Sequence, residues 1–210
     1  MYLLYILLCF EIVVISSFHS KKTNYDEGTA RKLLNMAAGA YGVQQQACLK
    51  RTFPHRAFVV TTIKKDCDIL GNTCESYIAA SDVTKELIFV FRGTKTKSQL
   101  LLEGLQSLYP GENFFNMGKV IKYFKNGHNV LWPQVEQVLT NPKYANYKAT
   151  FTGHSLGGAL AALAAARTAK EGKSYNIKGF FGHCRCTTDC ESRLTIGRTY
   201  TEMLQENGPY

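Results

Sequence analysis

The sequence predicts an α/β fold with a mostly parallel central sheet that is flanked by helices and incomplete at its C-terminal end. Two observations support this fold class. The segment Glu86–Phe91 (ELIFVF) is almost continuously apolar, as strands are when both faces of a sheet are covered. A second β-like run, 147–152, leads through a glycine-rich turn directly into an alanine-rich segment of helical composition.

The remaining elements follow from apolar spacing and from turn residues. Before the ELIFVF strand we predict, in order, a helix that Asp26 caps and that runs to about residue 41, a loop over 44–54, and strands over 57–63 and 76–80. Between the two main strands we predict a helix over 118–130, an interruption at Trp132-Pro133, and a resumed helix over 133–139. Gly172 is predicted to end the alanine-rich helix.

Composition indicates one globular domain with a basic surface. The chain has 210 residues, of which 45% are hydrophobic and 20% charged, enough for a substantial core. Its net charge of +9 favours contact with anionic interfaces, and no nucleic-acid-binding motif accompanies that charge. Lys119, Lys122 and Lys125 fall within one predicted helix, where a solvated face over a packed stripe is the ordinary interpretation. The sequence predicts no particular oligomeric state.

The N-terminal segment has the pattern of a secretory signal peptide. Residues 2–15 are almost all apolar, with Glu11 as the exception, and 16–20 are mostly polar. A membrane anchor is the alternative, but the run is shorter than the roughly 18 apolar residues that a spanning helix needs. We therefore expect a signal peptide over 1–20 with cleavage near 16–20, a folded domain over 21–178, a divergent cysteine-containing tail over 179–210, and a secreted product.

The cysteines agree with an oxidising compartment. The chain has seven, and Cys9 lies in the expected signal peptide. The other six are Cys48, Cys67, Cys74, Cys184, Cys186 and Cys190. An even number in a secreted chain favours disulfides, and Cys67 and Cys74 bracket a Gly-Asn turn signal that suits a local bridge. His183 beside the late cysteines could belong to a zinc cluster, but disulfides are favoured there, and no metal or cofactor is expected.

The turn between the last predicted strand and its helix carries the chemistry. Residues 153–158 read GHSLGG and contain the pattern G-x-S-x-G. Between a strand and a helix this pattern is the nucleophile elbow of serine hydrolases, with Ser155 on a strained apex. Gly153 and Gly157 lack a Cβ atom, so the strand and the helix can approach closely. A glycine-rich turn with an ordinary surface serine is the alternative, but the strand before the turn and the helix after it both favour the elbow.

Two separated motifs together resemble the class 3, fungal-type lipases of the α/β-hydrolase fold. They are the segment 91–94 (FRGT) and the hexapeptide around Ser155. The resemblance covers 26–178, and nematode members are similar also in their cysteine pattern. It implies a secreted lipase or esterase that hydrolyses acylglycerol-type carboxylic esters, with Ser155 as the nucleophile. It further implies an oxyanion hole formed by the backbone N–H groups of Thr94 and Leu156.

The leucine-rich segment after Thr94 has two interpretations. Its leucines cluster on one helical face, as in any packed helix, whereas the resemblance implies the position of a lid over an acyl site. The lid candidates are Leu101, Leu102, Leu105 and Leu108. A lid and the basic surface would together contact a lipid interface.

The base and the acid that a serine nucleophile needs are hard to find in this sequence. In this fold they follow the serine in the order acid, then histidine. His183 is the only histidine after Ser155, and the weak candidates for the acid are Asp189 and Glu206. From Cys186 onward the chain no longer resembles the family. The alternative is therefore a catalytically inactive, lipase-like protein for lipid binding or regulation, with a truncated, alternatively spliced or mis-assembled C-terminus. A cysteine-rich interaction domain over 182–210 is a third, more distant possibility.

Overall fold

The computed structural model describes residues 26–96 and 110–172 with their side chains, and the backbone of 178–179, 182–183 and 195–196. The expected signal peptide, the four lid candidates, Asp189 and Glu206 lie outside the described residues.

The described residues form four α-helices and nine strands. The helices are α1 (Glu27–Gly39), α2 (Gln45–Thr52), α3 (Lys122–Leu139) and α4 (Leu156–Lys170), with a 3₁₀ turn at Pro142–Tyr144. The strands are β1 (Phe58–Asp66), β2 (Thr73–Ser81), β3 (Glu86–Phe91), β4 (Glu112–Asn113), β5 (Lys119–Val120), β6 (Lys148–Gly153), β7 (Lys178–Gly179), β8 (Gly182–His183) and β9 (Thr195–Ile196).

Five of the described strands form one mixed sheet in the order β1-β2-β3-β6-β7. The pairs β1–β2 and β2–β3 are antiparallel, because short turns join these strands. The pairs β3–β6 and β6–β7 are parallel. The expected α/β architecture is therefore confirmed, and its parallel half holds the strand that leads to Ser155. The pairs β4–β5 and β8–β9 form separate two-stranded ribbons.

The core has two layers, one on each face of the sheet. Successive side chains of β3 point to opposite faces of the sheet and therefore join the two layers in turn. Leu87 and Phe89 join α3 and α4 in one cluster, whereas Ile88 and Val90 join α1 and α2 in the other. This double burial explains why the ELIFVF segment is apolar without alternation. Across the parallel ladder, Phe89 stacks on Phe151 with ring centroids 4.8 Å apart.

The start of the first helix matches the expectation from the sequence. Asp26 is the N-cap of α1, and its carboxylate accepts a hydrogen bond of 2.7 Å from the backbone N–H of Thr29. At the other end of the domain, Gly172 follows α4 with a φ of 65°, as expected for a helix-ending glycine.

The predicted loop over 44–54 is wrong, because residues 45–52 form α2. The local sequence is polar, and the only described residue of α2 that is buried is Leu49. A helix this short is marginal alone and is held by tertiary contacts. In this case it packs against α1 and β1.

The region over 118–139 also differs from the prediction. Lys119 and Val120 pair with β4, so the helix begins only at Lys122, and Lys119 is not on it with Lys122 and Lys125. The helix then continues through Pro133 without a break. Buried residues on both sides of the proline, such as Leu131 and Val135, pack into the core and stabilise the helix despite the missing N–H donor.

The structure contains the predicted local disulfide, Cys67–Cys74, whereas Cys48 has a free thiol. No helix within 26–96 and 110–172 combines the length and the apolar character that crossing a membrane requires.

Candidate active site

Ser155 occupies the apex of the turn between β6 and α4. Its backbone has φ 55° and ψ −125°, a conformation that non-glycine residues rarely adopt. The residue is exposed, and its side chain does not cap the helix that begins at Leu156. The hydroxyl group therefore stands at the surface of a strained turn, as the G-x-S-x-G pattern predicts.

Two glycines make this turn sterically possible. A Cβ atom on Gly157 would lie 2.2 Å from the carbonyl oxygen of Phe91, and one on Gly153 would lie 2.3 Å from the carbonyl of Gly157. Both distances are far below any van der Waals contact, so the sharp turn and its close packing on the end of β3 require glycine at both positions.

The segment that contains Thr94 lies at the same edge of the sheet. Phe91, the last residue of β3, pairs with Gly153 in the parallel ladder, so 92–94 and the elbow leave the sheet side by side. They are in direct contact, because a Cβ atom on Gly93 would lie 2.2 Å from the carbonyl oxygen of His154. Thr94 is half-buried, and Leu156 is the first residue of α4. The two predicted oxyanion donors thus belong to neighbouring segments.

Arg92 anchors residues 92–94, which we call the oxyanion segment after the predicted role of Thr94, to β2. Its guanidinium is buried, forms an ion pair with the Glu75 carboxylate, and donates a hydrogen bond to the backbone carbonyl of Thr73. Its backbone N–H also donates to the carbonyl of Glu75 at 2.9 Å. Burial opposes ionisation of Glu75, but hydrogen bonds from Arg92 and Thr73 outweigh it and lower the pKa of this carboxyl. The sequence marked Arg92 only as part of a motif and not as an anchor.

Tyr41 is a neighbour of the site that sequence reasoning missed. Its hydroxyl lies 2.9 Å from Nδ1 of His154 in a hydrogen bond, and the two rings meet edge to face. The same hydroxyl lies 2.3 Å from where a Cβ atom on Gly93 would be. Tyr41 therefore contacts both the elbow and the oxyanion segment. Its position at the end of a helical stripe is typical of an ordinary core residue, so no local signal identified it.

Two of the described histidine side chains contact other aromatic residues. His128 is buried, stacks on Trp132 at 5.2 Å, and has its pKa lowered to about 4, chiefly by burial. His154 Nδ1 bonds to the Tyr41 hydroxyl. His55 precedes β1, whose first residues lie at the end of the sheet opposite the elbow. His183 lies in β8, of which only the backbone is described.

Metal ligands are not clustered in the described part of the chain. Among the residues with described side chains, no group of three or more His, Cys, Asp or Glu could hold a metal ion.

Sequence comparison gives the family. The family model for lipase (class 3) matches residues 88–195. A lipase of Caenorhabditis elegans is 43% identical over 203 residues, which cover 94% of this chain and 56% of that protein. The chain thus spans about half the length of this relative.

Solved structures agree on the fold. The lipase of Rhizopus microsporus var. chinensis is 26% identical with a TM-score of 0.57, and the match covers 75% of this chain and 58% of that one. Lipase II of Rhizopus niveus is 26% identical with a TM-score of 0.56, over 74% and 61% of the two chains. Together with the matched family model, these similarities show that the chain belongs to the class 3 lipase family and has its α/β-hydrolase fold.

Proposed function

We propose that this lipase-like protein hydrolyses carboxylic esters of the acylglycerol type, with Ser155 as the nucleophile. The observation that carries the proposal is the exposed serine at φ 55° and ψ −125°, between a strand and the N-terminus of a helix. In that conformation the hydroxyl projects away from the backbone toward an incoming ester, and the helix N-terminus favours the negative charge that develops there.

The reaction would proceed through an acyl-enzyme. The Ser155 hydroxyl oxygen attacks the ester carbonyl while its proton passes to a base, and the tetrahedral oxyanion accepts hydrogen bonds from the backbone N–H groups of Thr94 and Leu156. Each such donor contributes about 3–4 kcal/mol to the stability of the transition state. The alcohol then leaves with a proton, and water hydrolyses the acyl-enzyme to release the fatty acid. For the base and the acid, His183, Asp189 and Glu206 stay the candidates from the sequence.

Two measurements test the nucleophile. The chain should react covalently with a serine-directed phosphonate and hydrolyse short- and long-chain esters, and Ser155→Ala should abolish both, because it removes the attacking oxygen. Ser81→Ala is the matched control, since the Ser81 hydroxyl accepts a hydrogen bond from Thr84 at the opposite edge of the sheet. Labelling that persists in Ser155→Ala would reject this serine as the nucleophile.

We also propose that the protein is secreted and that its substrate is a lipid or another ester outside the cell. The apolar segment 2–15 and the disulfide Cys67–Cys74 support this location, since disulfides persist in oxidising compartments. N-terminal sequencing of the protein released by secreting cells should give a first residue within 16–20 or directly after it. A product that keeps its apolar N-terminus inside the cell would contradict secretion.

A second candidate function is lipid binding or regulation without catalysis. The observation in its favour is that two of the described histidines contact other groups: His154 bonds to Tyr41, and His128 stacks on Trp132. Loss of the base in a serine protease lowers turnover by about 10⁶-fold. This candidate predicts that the chain binds lipid equally well with and without Ser155 and neither hydrolyses esters nor reacts with the phosphonate.

A further inference from the structure

The turn between β1 and β2 lies at the edge of the sheet that carries Ser155. We call residues 67–74 the disulfide turn. In the antiparallel ladders Asp66 pairs with Thr73, and Ser76 pairs with Phe91. Phe91 in turn pairs with Gly153, two residues before Ser155. Because β2 begins three residues before Ser76, the disulfide turn extends past the end of β3 on the same side as the elbow.

The disulfide turn is firmly held. The Cys67–Cys74 bond closes it, and the Asp68 carboxylate accepts hydrogen bonds from the backbone N–H of Leu70 at 2.8 Å and of Asn72 at 3.1 Å. The Tyr123 hydroxyl of α3 donates to the same carboxylate at 3.0 Å. The turn is therefore a preformed structure and not a loop that must fold on contact.

This preformed turn presents two large apolar side chains to solvent. Ile69 is 97% exposed and Leu70 is 59% exposed. These two adjacent side chains lie outside the core and form a small exposed apolar surface at a rigid tip. Lysines and acids both flank the tip: Lys65 and Asp66 are exposed at the end of β1, and Lys64 lies 3.5 Å from the Glu75 carboxylate in an ion pair. An exposed apolar tip on a chain of net charge +9 matches a lipid surface with anionic head groups.

The disulfide turn is also connected to the oxyanion segment. Asn72 accepts a hydrogen bond of 2.8 Å from the Thr96 hydroxyl, two residues after Thr94. On the other side of the turn, Arg92 donates to the carbonyl of Thr73. A contact at the tip therefore has a fixed spatial relation to the groups around Ser155.

We propose that the disulfide turn is an interfacial anchor, which inserts Ile69 and Leu70 into a lipid–water interface and so directs the Ser155 edge toward lipid. The proposal rests on the proposed ester-hydrolase function and adds the surface by which the chain meets its lipid.

A second exposed apolar residue provides the control. Val83 is 61% exposed and lies in the turn between β2 and β3, where Ser81 pairs with Glu86 at the opposite edge of the sheet. An anchor at the Ser155 edge should leave Val83 in water, whereas unspecific adsorption would bury both residues.

The first experiment places a fluorophore at each position. Ile69→Trp and Val83→Trp are compared on vesicles of phosphatidylcholine and phosphatidylglycerol with brominated acyl chains, which quench tryptophan only within the hydrocarbon. The native Trp132 is buried and gives a constant background. We expect a blue shift and quenching for Ile69→Trp and neither for Val83→Trp. This signal reports on the turn itself, so an apolar segment elsewhere in the chain cannot produce it. Equal quenching of both variants, or quenching of neither, would overturn the anchor.

The second experiment measures affinity. Replacing two exposed apolar side chains in Ile69→Ser/Leu70→Ser should weaken partition onto these vesicles by about tenfold or more, while Val83→Ser should leave it unchanged. If partition is removed by salt and is the same in both variants, the basic surface alone binds lipid and the proposal fails. The proposal also fails if the turn binds a protein partner and never enters lipid.

The two proposals fail in different ways. A chain whose Ile69→Trp variant is quenched but that neither reacts with a phosphonate nor hydrolyses a soluble short-chain ester keeps the anchor and loses the hydrolase function. A chain that hydrolyses the soluble ester while the turn stays in water keeps the hydrolase function and loses the anchor.

Discussion

At the scale of single residues, the geometry around Ser155 depends on close contacts that leave no room for an added side-chain atom. The elbow contacts the end of β3 so closely that a Cβ atom on Gly157 would lie 2.2 Å from the carbonyl oxygen of Phe91. The positive φ of Ser155 is the strain that this arrangement imposes on a non-glycine residue. Strain of this kind persists only when the surrounding contacts hold it, and His154 and Tyr41 provide one such contact.

Tyr41→Phe tests that contact. It removes the hydroxyl that lies 2.9 Å from His154 Nδ1, so we expect a loss of about 1 kcal/mol of stability and slower phosphonate labelling of Ser155. Tyr147→Phe is the matched control, because the Tyr147 hydroxyl donates to Asp82 at the far edge of the sheet. It should lower stability by a similar amount and leave the labelling rate unchanged. Equal labelling rates in the two variants would show that Tyr41 only stabilises the fold and does not position the elbow.

At the scale of elements, the sequence predicted the four long strands of the sheet, whereas one helix was missed and another differs from its prediction. The predicted strand over 86–91 matches β3, because an uninterrupted apolar run of this length is typical of a strand that is buried on both faces. Helix α2 was missed because its sequence is polar and its stability comes from packing on β1 and α1. The break predicted at Pro133 does not occur, because the tertiary contacts of α3 outweigh the missing backbone hydrogen bond.

Pro133→Ala should therefore stabilise the protein. Pro133 is exposed in the interior of α3, so an alanine restores a backbone donor without removing core contacts. We expect the free energy of unfolding to rise by about 1–3 kcal/mol, measured by urea denaturation. Gln137→Ala, at another exposed position of α3, should change stability by less than about 0.5 kcal/mol. A lower denaturation midpoint for Pro133→Ala would mean that α3 is bent around the proline in a way that its packing requires.

At the scale of the whole molecule, the sheet separates two apolar layers, and the chemistry lies at one of its edges. The layer formed by α3 and α4 also contains an ionisable group, His128, which is almost fully buried. Burial favours its neutral form and lowers its pKa to about 4, compared with 6.5 for a solvated histidine. Its protonation is thereby coupled to the folding of the entire domain.

Stability should fall as the pH is lowered from about 6.5 to 4. In this range the unfolded chain protonates His128 and the folded chain does not, so acid favours unfolding, by up to about 3 kcal/mol at the lower limit. The lowered pKa values of Asp68 and Glu75 act in the same direction, starting as the pH falls to the unfolded values of 4.5 for Glu75 and 3.8 for Asp68. Urea denaturation at several pH values measures the slope. His128→Gln should flatten it between about pH 6.5 and 4; an unchanged slope would assign the effect to other groups.

Local sequence was sufficient to predict the α/β class, the elbow at Ser155, the local disulfide and the β3 strand. Each of these depends on short-range chemistry: a glycine where a Cβ atom cannot fit, two cysteines across a turn, an apolar run that must be covered on both faces. Which distant segments meet became known only from the folded chain. Folding joined Tyr41 to His154, made Arg92 the anchor of the oxyanion segment, and stabilised α2. It also brought the disulfide turn to the Ser155 edge. These outcomes depend on the strand order of the sheet, in which β3 pairs with β6 across more than fifty residues of sequence, and contacts between such distant segments set that order.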